Sequence, residues 1–386
     1  MKRVAYITGT RADFGRMYYT LKEIEKNSNL ELLLIVTGMH LSEDYGLTIQ
    51  EIEKEFKVSA KVDMLISNDE GSSMAQSLGL AIINLTQVLK IIKPDILLLL
   101  GDRGEMLAGA IAAAHMNIPI VHIAGGDVSG TIDESIRHAI SKFSHFHLTS
   151  TKEHAERLMS MGEEPHRIKV VGAPDLDAIK HMCFLDKDTL SERLKVKLDS
   201  KFLILAFHPV TTELKDLENQ FYETIEAIKE IGLQTIIIQP NSDAGNQIIR
   251  RILAKEYSDK FFIYNNIPYR EFLSLLSHAS VLVGNTSSGI IEAPSLGVPF
   301  VNIGNRQQGR MRAKNVIDVP PNKKNIYQAI EKALNDQQFL STVKKRENPY
   351  GDGYAYKRIT DFIINLKIDK NIFSKKFYEK PRLTIK

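Results

Sequence analysis

The sequence predicts an α/β fold made of two doubly wound parallel sheets, one in each half of the chain. Three observations predict it. Short apolar runs, stopped by glycine or proline, alternate with amphipathic helical patterns along most of the chain, the pattern of repeated β-α units. The alternation breaks once, near residues 173–200, at the charged helical stretch LDKDTLSERLKVKLDSK, and then restarts. Ionisable residues crowd just past the ends of the apolar runs, where an open parallel sheet binds its ligands.

The bulk numbers agree. A chain of 386 residues suggests two domains. It is 43% hydrophobic and 25% charged, as a globular enzyme is. Lys plus Arg is 50 against 47 for Asp plus Glu, a formal charge of +3, which gives no reason to expect nucleic acid or an anionic membrane as partner. Cys183 is the only cysteine, so an intrachain disulfide and a cysteine metal cluster are excluded. The N-terminus, MKRVAYITGTRADFG, lacks the apolar core of a signal peptide, and no run of ~18 apolar residues occurs. A cytoplasmic protein is the default expectation.

Residues 2–8 read as a buried parallel strand ended by Gly9. A helical pattern through LKEIEKN follows, then the strand ELLLIVTG at 31–38. LTIQEIEKEF reads as a helix, 60–66 as a strand, NDEGSSM (68–74) as a loop and 75–92 as a helix. Pro94 marks the entry to a strand at 95–102. Strands at 119–124 and 145–150, a helix near 152–161 and a strand at 167–172 complete the first alternation, with right-handed crossovers. The second alternation has strands at 201–209, 234–240, 260–265, 280–285 and 299–304, and helical patterns near 323–337 and 353–367. The expected domains are therefore Rossmann-like units at 1–175 and 200–350, with a C-terminal helix and basic tail at 353–386. Chain termini are usually loose. A disordered tail is thus favoured over one packing back on the first domain or on a partner subunit.

Two such halves leave a cleft between the carboxyl edges of their sheets. In the first half, residues 101–142 bring Asp102, Arg103, Glu105, His122, Asp127, Asp133, Glu134, Arg137 and His138 to or near the ends of strands and helices. Asp133 and Glu134 also suit the first turn of a helix, and Thr131 with Glu134 fits a capping box. In the second half, GNTSSGIIEAPSLG follows a strand directly. Free N–H groups at a helix start favour an anion. Ser287 and Ser288 add hydroxyl donors, and Gly289 allows close approach by a phosphate. Glu292 lies one turn beyond Ser288 on the same face. A phosphate with a ribose acceptor and a plain N-cap with a solvated carboxylate both fit this spacing. His208, Asn241, Ser242, Arg306, Arg310 and Arg312 follow other strand ends. Arg11, after the first strand, either reaches the same anion or pairs with Asp13.

Taken together and in order, GTRADFG, TGMH, GDR-E-ML, GGDVSGTIDESIRHAISK, HPVTT, GNTSSGIIEAPSLGVP and NIGNRQQGR resemble the hydrolysing UDP-N-acetylglucosamine 2-epimerases. The nearest branch is the one that feeds sialic and legionaminic acid synthesis. The resemblance spans roughly residues 1–367 and implies the GT-B fold, with nucleotide in the cleft. It also implies a homodimer or homotetramer, a UDP-N-acetylhexosamine substrate, UDP as a product, and no metal or redox cofactor. The implied reaction removes the C2 proton, expels UDP to give a 2-acetamidoglucal, and hydrates the glycal to the free 2-epimer. The alternative substrate is UDP-N,N'-diacetylbacillosamine. A UDP-sugar glycosyltransferase and an inactive UDP-sugar sensor are the other readings.

The resemblance assigns Asp102 and Asp133 as catalytic acids, with Asp133 preferred to Glu134. Arg103, Arg137 and His138 become substrate residues, and Arg137, one turn from Asp133, is placed to hold it. His208 falls near the diphosphate, Ser287 and Ser288 in the UDP segment, and Glu292 on the ribose. The chain departs from the pattern at Ala124, where many members carry a catalytic Glu in HIEGG. Asp127 on the same loop is the candidate replacement. The alternatives are that the remaining acids suffice or that one acid is missing. The methyl also leaves room for a bulkier C4 substituent on the sugar.

Overall fold

The apolar runs become strands because β-branched and leucine side chains, buried on both faces, suit a parallel sheet covered by helices. The computed structural model describes residues 1–66, 69–256 and 258–379. Its first sheet contains β1 (Lys2–Thr8), β2 (Leu30–Thr37), β3 (Val58–Val62), β4 (Ile96–Leu100), β5 (Ile120–Ile123), β6 (Phe146–Thr149) and β7 (Ile168–Val170). All pair in parallel, in the order β3-β2-β1-β4-β5-β6-β7. The second contains β8 (Phe202–Ala206), β9 (Gln234–Ile238), β10 (Phe261–Tyr264), β11 (Val281–Gly284), β12 (Phe300–Ile303) and β13 (Val316–Val319). These too are parallel, in the order β10-β9-β8-β11-β12-β13. The fold is the GT-B arrangement of two Rossmann-like halves.

The strand order reverses between β1 and β4 in one sheet and between β8 and β11 in the other. Ligands of open α/β sheets sit at such switch points. Asp102 follows β4, while His208 and 285–288 follow β8 and β11. The two reversals thus supply the two sides of one cleft.

Each sheet is covered on both faces by separate apolar clusters. The helix Gly104–His115 is built of small residues because it is squeezed against the first sheet. A Cβ on Gly109 would stand 2.5 Å from Ile7 Cδ1. The charged stretch between the halves forms the helices Asp175–His181 and Lys187–Leu194. Their Leu176, Leu190 and Leu194 join the second-sheet cluster with Phe202 and Phe300. The helix Ala355–Asn365 crosses back, burying Ala355, Ile359 and Ile363 with Tyr6 and Leu21 of the first half. Lys2 Nζ caps it by donating to the carbonyls of Ile363, Ile364 and Leu366 at 2.6, 3.1 and 2.7 Å.

Several expectations change. The strand expected at 60–66 runs Val58–Val62, and the helix expected at 75–92 begins at Gly71. Asn68 of the expected loop lies outside the described residues. β13 was not expected, because four half-exposed residues beside Pro320 carry little pattern. The favoured loose tail is corrected as far as residue 379. Arg167 donates to Ile372 O at 2.9 Å, and Tyr378 N donates to Gly162 O at 2.8 Å. Residues 380–386 of the tail lie outside the description. The helix Gly71–Ile92 is long and apolar enough to cross a membrane by length and composition. It buries Ser77, Ala81, Leu85 and Leu89, the last three in the cluster that also holds Ala108 and Ala112, as a helix covering a sheet does.

Candidate active site

The two halves meet over backbone that only small residues permit. A Cβ on Gly130 would lie 2.0 Å from Asn305 O, and one on Gly15 would lie 2.2 Å from the Tyr269 ring. Gly130 N donates to Arg306 O across the cleft at 3.0 Å. Between the halves lies a cavity of about 90 Å³ lined by four arginines, Arg16, Arg137, Arg306 and Arg310, and four aspartates, Asp102, Asp127, Asp133 and Asp175. Ala124, Ser287 and Tyr350 also line it. Its volume is below the roughly 300–1,000 Å³ that a drug-sized ligand occupies.

Asp102 stands after Gly101, whose φ of +76° turns the chain sharply at the end of β4. Arg137 bonds its carboxylate directly, and Arg310 lies 3.9 Å away. Burial works against the charge, but these two guanidiniums outweigh it and hold Asp102 below the usual carboxylate range. Asp133 lies in the first turn of the helix Ile132–Phe143, 3.7 Å from Arg306. Burial and the nearby Asp102 charge push its pKa up. Two interacting carboxyls are thus driven apart, one charged and one inclined to keep its proton, the usual basis for dividing acid and base work.

Arg137 therefore holds Asp102 rather than Asp133. Its other nitrogen donates to Asp127 O at 3.1 Å, which draws the guanidinium toward the glycine loop. Asp127 is occupied: Arg310 lies at 3.3 Å and His154 at 3.2 Å. Burial is outweighed by these two partners, and the Asp127 pKa falls. Such a well-paired carboxylate is a poor proton acceptor. Ala124 lines the cavity at φ +63°, a strained backbone for a residue with a Cβ. Thr131 caps the helix as expected, but Glu134 accepts from Ser129 N at 2.7 Å rather than closing a capping box. His138 lies 3.9 Å from Glu134 and does not line the cavity, because it sits on another face of the helix.

On the opposite side, Asn285 clamps the backbone of His208 from both sides, accepting from its N at 2.7 Å and donating to its O at 2.8 Å. Burial and Arg306 push the His208 pKa down to about 3, so the ring is neutral at pH 7, and its Nδ1 has no partner among the described residues. Arg306 and Gln307 donate to Asn285 O at 3.1 and 2.7 Å. Ser287 Oγ accepts from Arg16 at 3.0 Å, and Arg16 also pairs with Asp175 at 2.9 Å. Ser288 is buried beside Thr286, whose hydroxyl accepts from Ser288 N at 3.3 Å. The helix expected after Ser287 is two short turns, Ser288–Ile291 and Ala293–Leu296, because Pro294 has no N–H to continue the ladder. At Gly289 a Cβ would strike the Phe300 ring at 2.3 Å, so packing by itself already requires a glycine there. Glu292 is buried, and burial together with Asp175 raises its pKa to about 7.

Arg103 reaches Glu105 at 3.3 Å and, across the cleft, Asp243 at 3.7 Å. Asn241 braces Asp243 at 2.7 Å. Arg11 does not pair with Asp13, whose carboxylate instead accepts from Gly9 N and Thr10 N at 3.1 and 2.8 Å. Nε and Nη1 of Arg11 are buried without partners among the described residues, and burial lowers its pKa to about 10. Beside the charged cavity, and sharing Asp133 with it, lies a chamber of about 1000 Å³ lined in part by Met64, Leu65, Met74, Leu78 and Ile136. Asp69 reaches across the cleft to Gly245 N at 2.9 Å and Asn246 Nδ2 at 2.8 Å. Sequence reasoning missed Arg16, Asp175 and Tyr350, which lie outside the quoted motifs, and Gln307, which lies inside NIGNRQQGR but was not singled out. It named Arg310 without committing to it, and it quoted Asn285 without seeing that it clamps His208.

The family model for UDP-N-acetylglucosamine 2-epimerase matches residues 22–364. A UDP-N,N'-diacetylbacillosamine 2-epimerase (hydrolyzing) of Legionella pneumophila is 40% identical over 378 residues, 97% of this chain and 99% of that one. A UDP-N-acetylglucosamine 2-epimerase of Neisseria meningitidis is 40% identical over 340 residues, 88% of this chain and 89% of that one. A solved UDP-GlcNAc 2-epimerase from Neisseria meningitidis, bound to UDP-GlcNAc, superposes with a TM-score of 0.79 at 22% identity, covering 95% of this chain and all of that one. The paired acids, the cleft and these likenesses lead to one statement: the chain belongs to the UDP-N-acetylglucosamine 2-epimerase family.

Proposed function

We propose that this protein is a hydrolysing 2-epimerase that converts UDP-N-acetylglucosamine to N-acetylmannosamine and UDP. The observation that carries the reading is the pair Asp102 and Asp133, facing Arg306 and Ser287 across one cavity. Asp133 takes the C2 proton, since a carboxyl with a raised pKa is the stronger base once ionised. Asp102 stays charged and orients Arg137. The C1–O bond breaks, and UDP departs with its growing charge met by Arg306, Arg16 and the Ser287 segment. Water then adds hydrogen at C2 and hydroxyl at C1 of the glycal, from the face that inverts C2. Arg11 and His208 keep buried polar atoms without partners among the described residues; on this reading both turn to the diphosphate, and Glu292 accepts from the ribose. No step uses a metal or redox cofactor.

A second substrate, UDP-N,N'-diacetylbacillosamine, is favoured by the Ala124 methyl and by the roomy chamber beside Asp133, whose apolar wall includes Met64, Met74 and Leu78. Incubation of each nucleotide sugar in deuterated water tests both. A free 2-epimer carrying deuterium at C2 supports the reading. Sugar transfer only on addition of an acceptor replaces it with a glycosyltransferase, and stabilisation without turnover replaces it with a sensor. Light scattering checks the homodimer or homotetramer that accompanies the reading.

A further inference from the structure

The helix Ile132–Phe143 carries Asp133 and Arg137 at its front and ends beneath the C-terminal arm. At that end Lys375 Nζ donates to three carbonyls, those of Ser141, Lys142 and Ser144, at 3.2, 2.9 and 2.8 Å. It also pairs with Glu163 at 2.6 Å. Glu163 is wholly buried, and His147 and Lys142 bind it as well, at 2.9 and 2.7 Å. A cation on the last carbonyls of a helix satisfies groups that have no partner within it and opposes the helix dipole. The arm is held independently through Arg167, which grips the Ile372 carbonyl, and through Phe377, which fills the space a Cβ on Gly162 would need.

The same end of the helix is tied to the Asp102 turn. His122 Nε2 lies 2.7 Å from Gly101 O, which only accepts, so Nε2 carries the proton. Burial keeps the ring neutral at pH 7, with its pKa pushed down to about 3. Nδ1 is then a bare acceptor that faces the Ser141 hydroxyl at 3.0 Å, whose one proton is shared between Nδ1 and the Arg137 carbonyl at 3.1 Å in the preceding turn. Gly125 leaves room for this bond, since a Cβ there would stand 2.8 Å from Nδ1 and 2.9 Å from Ser141 Oγ.

We propose that Lys375 is a positioning residue for the reaction. Its ammonium fixes the back of the helix Ile132–Phe143, and Ser141 and His122 hold that helix in register with the turn bearing Asp102. The helix is a lever of roughly 18 Å at 1.5 Å per residue, so a small tilt at Lys375 moves Asp133 away from Asp102. The inference rests on the assignment of Asp102 and Asp133 to the chemistry.

The test compares wild type, Lys375→Met, Lys375→Arg and Ser141→Ala in the full chain. In Lys375→Met, kcat is expected to fall about tenfold or more, as misplacement of reacting groups by a fraction of an ångström does. KM and UDP affinity, set on the opposite side of the cleft, stay within about twofold, and Lys375→Arg restores most of kcat. A Lys375→Met kcat within about twofold of wild type overturns the proposal, as does a fall in UDP affinity equal to the fall in kcat. If Lys375→Met does not fold, Ser141→Ala decides by the same criteria. Should wild type turn over no nucleotide sugar, the functional reading has failed, and amide exchange then reads positioning alone. Lost protection in Lys375→Met that extends from residue 144 to 133 supports it, and loss confined to 141–144 overturns it.

Discussion

Two spaces lie side by side between the halves, and they differ in kind. One holds about 90 Å³ and is lined by four arginines and four aspartates. The other holds about 1000 Å³ and mixes methionine, leucine and isoleucine with charged groups such as Arg103, Glu105 and Asp243. Asp133 borders both. Size alone points to the second, but size does not make chemistry. In the first, opposite charges pair across the space: Arg137 and Arg310 with Asp102, Arg310 with Asp127 and Arg306 with Asp133. On the proposed reading the larger space receives the sugar's substituents, and Asp133, which borders both, acts on its C2.

The comparison is broken most sharply at the acids. Asp102→Asn and Asp133→Asn are each expected to lower kcat at least ~100-fold, the range of a general acid or base. Full activity in Asp133→Asn would reduce it to a helix-end charge. The acid limb of the wild-type kcat/KM profile falls above the ordinary aspartate range, because Asp133 must lose its proton to act and its pKa is raised. In Asp102→Asn the repulsion is gone, so the limb of the residual activity moves to lower pH. A limb that stays in place would show that Asp102 does not set it.

The packing role of Gly289 is next. Gly289→Ala forces a methyl into the Phe300 ring and is expected to cost about 1–3 kcal/mol of stability, the usual toll of overpacking, read in denaturant unfolding. Loss of UDP affinity with unchanged stability would assign Gly289 to phosphate binding. Leu78→Ala enlarges the chamber and trims a side chain that also packs on the first-sheet cluster. It is expected to lower the kcat/KM ratio of the diacetamido sugar to UDP-N-acetylglucosamine about tenfold, within the worth of a small apolar contact. An unchanged ratio would separate the chamber from the sugar. The smallest effect is at Ser287→Ala, where one hydroxyl that contacts Arg16 is removed. UDP affinity should fall by about 0.5–1.5 kcal/mol in calorimetry, and an unchanged affinity would remove Ser287 from the nucleotide side.

Much of this was legible in the sequence for a simple reason. Strands buried on both faces must be apolar runs, and the residues that follow them must lie at the sheet's carboxyl edge. That logic placed Asp102, Asp133, Arg306 and Ser287 on a common cleft. It was weaker where pattern is weak, as in the four-residue edge strand β13. It was silent where position depends on the approach of distant elements. Arg16 sits in the second turn of its helix, one residue past the quoted GTRADFG, yet it reaches Ser287 from the other half of the chain. Arg137 is one turn from Asp133, but Asp102, 35 positions away in sequence, captures it. Sequence does not show the Phe300 ring that packs against Gly289. Lys375 lay in a tail whose composition carries no sign of the buried Glu163 that receives it.

The most direct measurement is the proton spectrum of the sugar released in deuterated water by wild type and by Asp133→Asn. A free 2-epimer with deuterium at C2 from wild type, and at least ~100-fold less from the variant, is the predicted result. Release of UDP with protium retained at C2 and unchanged configuration would contradict it.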